Sequence, residues 1–304
     1  MDKKCAPGVK YDKGSCISKE TLQDIARNFN KSSSNVNINI NNDKEEIVNV
    51  LNKEFEKKFN CKDQLCWLNQ SFVKRMNNVN LEKFTFKPVG PQQKLDWLST
   101  TNINDVIEQY ERKYKNFLFL GAVPYDFQEL RQLEMGKELN FDDVINGKLN
   151  EEYNKDEKIN HLGMVINLDP HDKPGSHWVA LYSNFDNNQI YFFDSFGKKP
   201  RRKIKKFINK IAKYMYKKKY NSTLPINTVI EELKNNNITT EIENLSKFDI
   251  RYNQIQHQFK NTECGVYSIN FIIRLVGGET FDDITNNILK DDFMNNCRKE
   301  YFRN

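Results

Sequence analysis

A chain of 304 residues, 38% of them hydrophobic and rich in Phe and Tyr, can bury a sizeable core, which excludes a disordered or fibrous protein. Its longest apolar runs, such as "FLFLGAV", fall far short of the ~20 residues that a spanning helix needs. The N-terminus carries no apolar leader core, so a soluble, non-secreted protein with no membrane partner is expected. The net charge of +6 is modest, but it is concentrated: residues 198–219 hold twelve Lys or Arg and no acid.

Residues 28–46 are rich in Asn and Ser and read as a polar loop between two helical patterns. Beyond it, Ile47, Val48, Leu51 and Phe55 fall at helical spacing. Residues 1–84 are thus a small, mainly helical region. The Pro and Gly residues between 84 and 94 mark a boundary, leaving 85–304 as the main domain. Cys5, Cys16, Cys61 and Cys66 are too widely spaced for a zinc knuckle, so thiols in a reducing compartment, with no metal, are the expected reading.

From residue 160 the period changes. Residues 161–169, 177–185 and 189–196 are short, apolar and rich in β-branched and aromatic residues, with "DNN" at 186–188 as a turn, which predicts a hairpin with a neighbouring strand. Ile204, Phe207, Ile208, Ile211 and Met215 form a helical stripe, so residues 200–219 are expected as a helix on that sheet with lysines outward. Another extended segment, "FDIRYNQIQHQ", follows. Val266, Ile269, Ile272, Ile273 and Val276 then make a buried helix ended by Gly277 and Gly278.

Cys264 stands at the first turn of that last helix, where open N–H groups and the helix dipole favour a thiolate. Gly265 beside it leaves room for a substrate backbone. Four histidines are candidate bases: His161, His171, His177 and His257. His177 is the best placed, because the hairpin returns Asp194 to its neighbourhood, where a carboxylate would hold the imidazole tautomer. His257 is the rival, without an evident carboxylate. Gln258 and the Cys264 backbone N–H are candidate oxyanion donors. Taken singly, each residue has a bland reading as a core thiol, a packed ring or a turn cap. Their order and spacing point to one site.

"HWVALYSNFDNNQIYFFDSFG" followed by "HQFKNTECGVY" resembles the active-site core of the adenovirus-type and SUMO-deconjugating (Ulp-like) cysteine protease superfamily. Within it, "FLFLGAVPYDF" and the Glu before the cysteine are similar to the polyprotein-processing proteases of nucleocytoplasmic large DNA viruses. The resemblance implies an α+β, papain-like or adenain-like fold, with a mixed central sheet flanked by helices and an N-terminal helical arm. It implies Cys264 as nucleophile, His177 as base, Asp194 as orienter and Gln258 as oxyanion donor. Trp97 and Trp178 would wall a tunnel that admits only glycines, since two close indoles leave no space for a Cβ.

The same resemblance implies cleavage of viral structural polyproteins after Gly-Gly or Gly-x sites, at assembly sites in the host cytoplasm and in the virion. It requires no cofactor, with DNA as a candidate activator because the adenovirus protease uses DNA as cofactor and guide. The basic helix has three readings: a solvated face, a docking surface for an acidic partner, or a nucleic-acid patch at Lys205, Lys206, Lys213 and Lys217. A deconjugase of SUMO-like modifiers and an inactive nucleic-acid-binding scaffold are the alternative functions. The Gly277-Gly278-Glu279 run mimics a cleavage site, but a helix cap explains it.

Overall fold

The computed structural model describes residues 4–32, 36–76, 80–93, 95–136, 139–146, 158–221, 228 and 248–303. The chain divides into two compact units, residues 1–90 with 299–304, and residues 91–298.

The first unit is helical: α1 (Lys19–Ser32), α2 (Lys44–Phe59) and the shorter segments Gln64–Leu68, Ser71–Lys74 and Leu81–Thr85. Asp43 caps α2 by accepting from the Glu46 N–H at 2.9 Å. Apolar residues three and four apart turn Leu22, Ile25 and Phe29 of α1 and Ile47, Leu51 and Phe55 of α2 into one core. The rings of Phe29 and Phe55 stack 5.4 Å apart, and Trp67 closes on Phe55 at 5.1 Å. This packing corrects the loop expected from residue 28: α1 runs on to Ser32 because Phe29 is fully buried. Positions 33–35 of that expected loop lie outside the described residues.

The four cysteines of this unit are not thiols. Cys5 pairs with Cys16 and Cys61 with Cys66, their Cα atoms 5.5 and 5.4 Å apart, within disulfide reach. Those four cysteines therefore lend no support to a reducing compartment, whereas Cys264 and Cys297, both buried, are outside any disulfide. The unit also extends past the expected boundary at 84, because Cys5 bridges to Phe86 and the Lys87 N–H donates to the Lys4 carbonyl at 2.8 Å. Residues 299–304 belong with it too, the Arg303 N–H reaching the Pro88 carbonyl at 3.2 Å.

The second unit carries α3 (Thr100–Lys113), β1 (Phe117–Val123), β2 (His161–Asn167), β3 (Trp178–Asn184), β4 (Gln189–Phe193), α4 (Arg202–Tyr220), β5 (Asp249–Tyr252), α5 (Cys264–Val276), α6 (Phe281–Asn286) and most of α7 (Asp291–Tyr301). The five strands lie in chain order, mixed in direction: β1 with β2 and β4 with β5 are parallel, β2–β3 and β3–β4 antiparallel. Asn188 takes the positive φ of 53° that turns β3 into β4, a conformation Asn tolerates well.

Alternation along the strands gives the sheet two apolar faces. Leu162, Met164, Val179, Leu181 and Phe192 face the Ile204–Met215 stripe of α4. On the other face Phe193 stacks on Phe271 of α5 at 4.8 Å. Gly163 makes that approach possible, since a Cβ there would come within 3.0 Å of Ile272 and closer still to the Phe117 ring. At the far end of α5, Gly278 holds φ 97° and donates to the Leu275 carbonyl at 3.1 Å, so the glycine pair is a helix cap. Among the described residues no helix is long and apolar enough to cross a membrane.

Candidate active site

The hairpin register builds the site. Ala180 pairs with Phe193 and Asn184 with Gln189, so continuing the pairing places Trp178 level with Ser195 and His177 level with Phe196. His177 Nε2 meets Asp194 Oδ1 at 2.7 Å, and the imidazole stacks on the Phe196 ring at 4.6 Å. Asp194 is 2% exposed and locked from three sides. The Phe196 N–H donates to its Oδ1 at 2.9 Å, while Asn253 accepts from its N–H at 2.8 Å and donates to its carbonyl at 2.7 Å. Asn253, just past β5, thus holds the carboxylate residue by its backbone.

Cys264 opens α5, buried beside this pair. Glu263 before it makes no side-chain cap bond, which leaves first-turn N–H groups of α5 available around the sulfur. With Nε2 bonded to Asp194, Nδ1 is the nitrogen left for Cys264, which also raises the His177 pKa. Burial disfavours the charged imidazole, yet the hydrogen bonds to Asp194 and Cys264 and the negative charge of both outweigh it, and the His177 pKa is pushed up to about 9. A protonated histidine between a carboxylate and a thiol is the arrangement that stabilises a thiolate at neutral pH.

Gln258 is fully buried and its amide orientation is set from both ends. The Ser195 hydroxyl donates to Oε1 at 2.6 Å, and Nε2 donates to the Lys260 carbonyl at 2.6 Å. One N–H of that amide is therefore engaged. His257, the rival base, is 2% exposed, faces the Thr285 carbonyl at 3.2 Å and the Phe193 ring edge-on, and burial lowers its pKa. His161 meets the Tyr182 hydroxyl, and His171 meets Asp126 Oδ2 at 2.6 Å.

Trp97 and Trp178 line one cavity of about 470 Å³, with the segment Asn167–Gly175 as its other wall. Trp178 is buried and donates from Nε1 to the Leu98 carbonyl at 2.9 Å, whereas Trp97 is 47% exposed. Gly265 corrects the expectation that it leaves room for substrate. A Cβ there would lie 3.1 Å from Leu98 Cβ, so the space is taken by the protein's own leucine. Leu98 therefore ties the tryptophan pair to the first turn of α5. Sequence reasoning missed Leu98, Asn253 and Phe196 in these roles, and only "WL" and "DSF" hinted at two of them.

On α4, Lys205, Lys206, Lys213 and Lys217 are exposed, while neighbouring Lys203, Lys210 and Lys218 are tied to Glu129, the Gly136 carbonyl and Asp142. Among the described residues no group of His, Cys, Asp and Glu is placed to hold a metal ion.

A histidine before β3 and an aspartate after β4, with a cysteine at a helix N-terminus, make up the residue set that thiol hydrolysis requires. Residues 126–304, more than half of the chain, match the Ulp1 protease family, C-terminal catalytic domain, and the chain belongs to that family as a cysteine protease. It is 32% identical over 322 residues to a protein of Acanthamoeba polyphaga mimivirus named as a putative thiol protease, covering 99% of this chain and 93% of that one. A cysteine protease of African swine fever virus is 22% identical over 272 residues, covering 85% and 88%. The crystal structure of an African swine fever virus protease superposes with a TM-score of 0.63 at 18% identity, covering 100% of this chain and 97% of that one, so the fold is shared along the whole length, helical N-terminal region included.

Proposed function

We propose that the protein is an endopeptidase that cuts viral structural polyproteins after Gly-Gly or Gly-x pairs during particle maturation, at assembly sites in the host cytoplasm and in the virion. The observation that carries this reading is the buried His177–Asp194 pair at 2.7 Å with Cys264 as the imidazole's second partner. The cavity lined by Trp97 and Trp178 supports a restricted substrate, and the viral origin of the relatives supports a viral one.

In this mechanism Cys264 Sγ, as thiolate, adds to the carbonyl carbon of the glycine. The oxyanion takes hydrogen bonds from the Cys264 N–H and the other N–H of the Gln258 amide. The His177 imidazolium gives its proton to the departing amine, and the C–N bond breaks to leave a thioester. Neutral His177 then takes a proton from water, whose oxygen attacks the thioester and releases the carboxylate. Asp194 holds the ring with Nδ1 toward sulfur throughout and stabilises its charged form. No metal or cofactor enters these steps.

A deconjugase of SUMO-like modifiers is the second reading, favoured by African swine fever virus relatives that bear the name "SUMO-1 cysteine protease". The two are separated by offering the purified protein glycine-containing junction peptides from structural polyproteins and a SUMO-like precursor. Cleavage of the junctions with the modifier intact supports polyprotein processing. The reverse assigns deconjugation, and turnover that survives Cys264→Ala overturns both.

The exposed lysines of α4 support nucleic acid as an activating partner. Binding would be mainly to phosphates, so affinity should fall steeply with salt and be indifferent to sequence. Changing Lys205, Lys206, Lys213 and Lys217 to Gln should flatten the salt slope by about one unit per lost phosphate contact. Absence of binding by the wild type at low salt removes this partner.

A further inference from the structure

The five residues that join Gln258 to Cys264 are held by one face of α7. Asp291, Asn295 and Arg298 recur at helical spacing on it. Asp291 Oδ2 accepts from the backbone N–H groups of Phe259 at 2.9 Å and Lys260 at 3.0 Å. Asn295 donates to Glu263 Oε1 at 3.2 Å. Arg298 donates from Nε to Glu263 Oε2 at 2.9 Å and from Nη2 to the Thr262 carbonyl at 3.1 Å. Glu263 is 1% exposed and Arg298 7%, so this ion pair is shut from water directly before Cys264.

That burial has a chemical side. A carboxylate one residue from a cysteine disfavours its thiolate, and a buried one is not screened. Glu263 makes no bond to the N-terminus of α5 and is turned to Arg298 instead. The guanidinium cancels that charge, and its second bond to the Thr262 carbonyl fixes the backbone that leads into the nucleophile. We propose that Arg298 is a positioning residue for catalysis. It acts through Glu263 and Thr262 to hold the segment between Gln258 and Cys264 in place and to keep the carboxylate beside Cys264 neutralised. The inference rests on the reading of Cys264 as nucleophile.

Of the charged or titratable groups, His177 with Asp194 faces Cys264, Arg298 of α7 holds Glu263, Asp291 of α7 holds the Lys260 N–H, and Tyr267 on α5 feels Asp291, Glu263 and Cys297. Only the Glu263–Arg298 pair is altered in the test. Iodoacetamide alkylation of Cys264, read at its own peptide by mass spectrometry across pH, reports thiolate formation without any substrate. Cleavage of a glycine-containing peptide gives kcat and KM separately.

Arg298→Met should raise the pH midpoint of alkylation and lower kcat by about tenfold or more with KM nearly unchanged, because the buried carboxylate is left unpaired. Glu263→Gln with Arg298→Met should return the alkylation midpoint to that of wild type. Arg298→Lys should keep the midpoint, since charge is retained, yet lower kcat by roughly severalfold, because the planar two-bond grip is lost. If Arg298→Met does not fold, the other two variants decide. Wild-type kcat in both the folded Lys variant and the neutral double variant overturns the proposal, as does an unmoved midpoint in folded Arg298→Met. If the wild type cleaves no peptide, or Cys264→Ala still does, the nucleophile reading has failed separately, and the alkylation profiles still judge the pair.

Discussion

Two histidine–aspartate pairs, their histidines close in sequence, lie in the second unit and share nearly the same bond, His177 to Asp194 at 2.7 Å and His171 to Asp126 at 2.6 Å. Their surroundings differ. His177 has a side chain 11% exposed, stacks on Phe196 and faces a thiol, whereas the His171 side chain is 56% exposed. Both pKa values are raised by the carboxylate, but water screens the exposed pair and weakens its effect. A short bond therefore does not make a catalytic pair. What sets the first pair apart is its exclusion of water and the cysteine that it faces.

Substitutions can break this contrast. Cys264→Ala and His177→Ala should each cost about four orders of magnitude or more in kcat, with the thermal midpoint of Cys264→Ala close to wild type. Asp194→Asn should cost less than either, on the order of a hundredfold or more, since it misorients the ring without removing it. Equal loss of fold and activity would make Asp194 a structural residue.

A pH series sharpens it. Turnover should decline as pH rises through about 9, where His177 loses the proton it gives to the leaving amine. Stability should follow the same sign. A folded pKa raised above the unfolded 6.5 means that the stabilising contribution is complete below about 6.5 and lost as pH rises through about 9. The gap in thermal midpoint between wild type and His177→Ala should therefore be widest in mild acid and narrow in alkali.

Trp97→Ala or Trp178→Ala should lower the rate by roughly tenfold and relax rejection of Ala in place of the penultimate Gly, as a competition between two peptides would reveal. Unchanged selectivity in both removes the tunnel. The smaller effect belongs to the exposed pair: because His171 stands on the cavity wall, His171→Ala should lower kcat by no more than roughly severalfold and leave the alkaline decline through about 9 in place. A larger loss at His171 than at His177 would reverse the assignment.

The parts legible in the sequence were those whose cause is local. "DNN" announced the β3–β4 turn, and its register brings His177 level with Phe196, two residues along the same face from Asp194. The stripe on α4 and the helix after Cys264 were equally open to reading, because amphipathic period is written in consecutive residues. What escaped were contacts between distant segments. Asn253 reaches back to Asp194, and Leu98 fills the hollow at Gly265, neither pairing leaving any mark in its own neighbourhood. Gly265 misled because a missing Cβ says that something approaches, not what. The disulfides escaped for another reason: cysteine spacing records the ligand or partner of a thiol only where a fixed knuckle geometry demands it.

Those two disulfides have a consequence for how the newly made chain is oxidised. Each joins cysteines close in sequence, 11 and 5 positions apart, whereas Cys264 is remote from all four. Ring closure grows dearer with chain length, by about 0.6 kcal/mol for each doubling, so a nascent thiol meets its near neighbour far more often than a distant one. Polymer statistics alone therefore favour closure of the two short rings over any pairing with the distant Cys264.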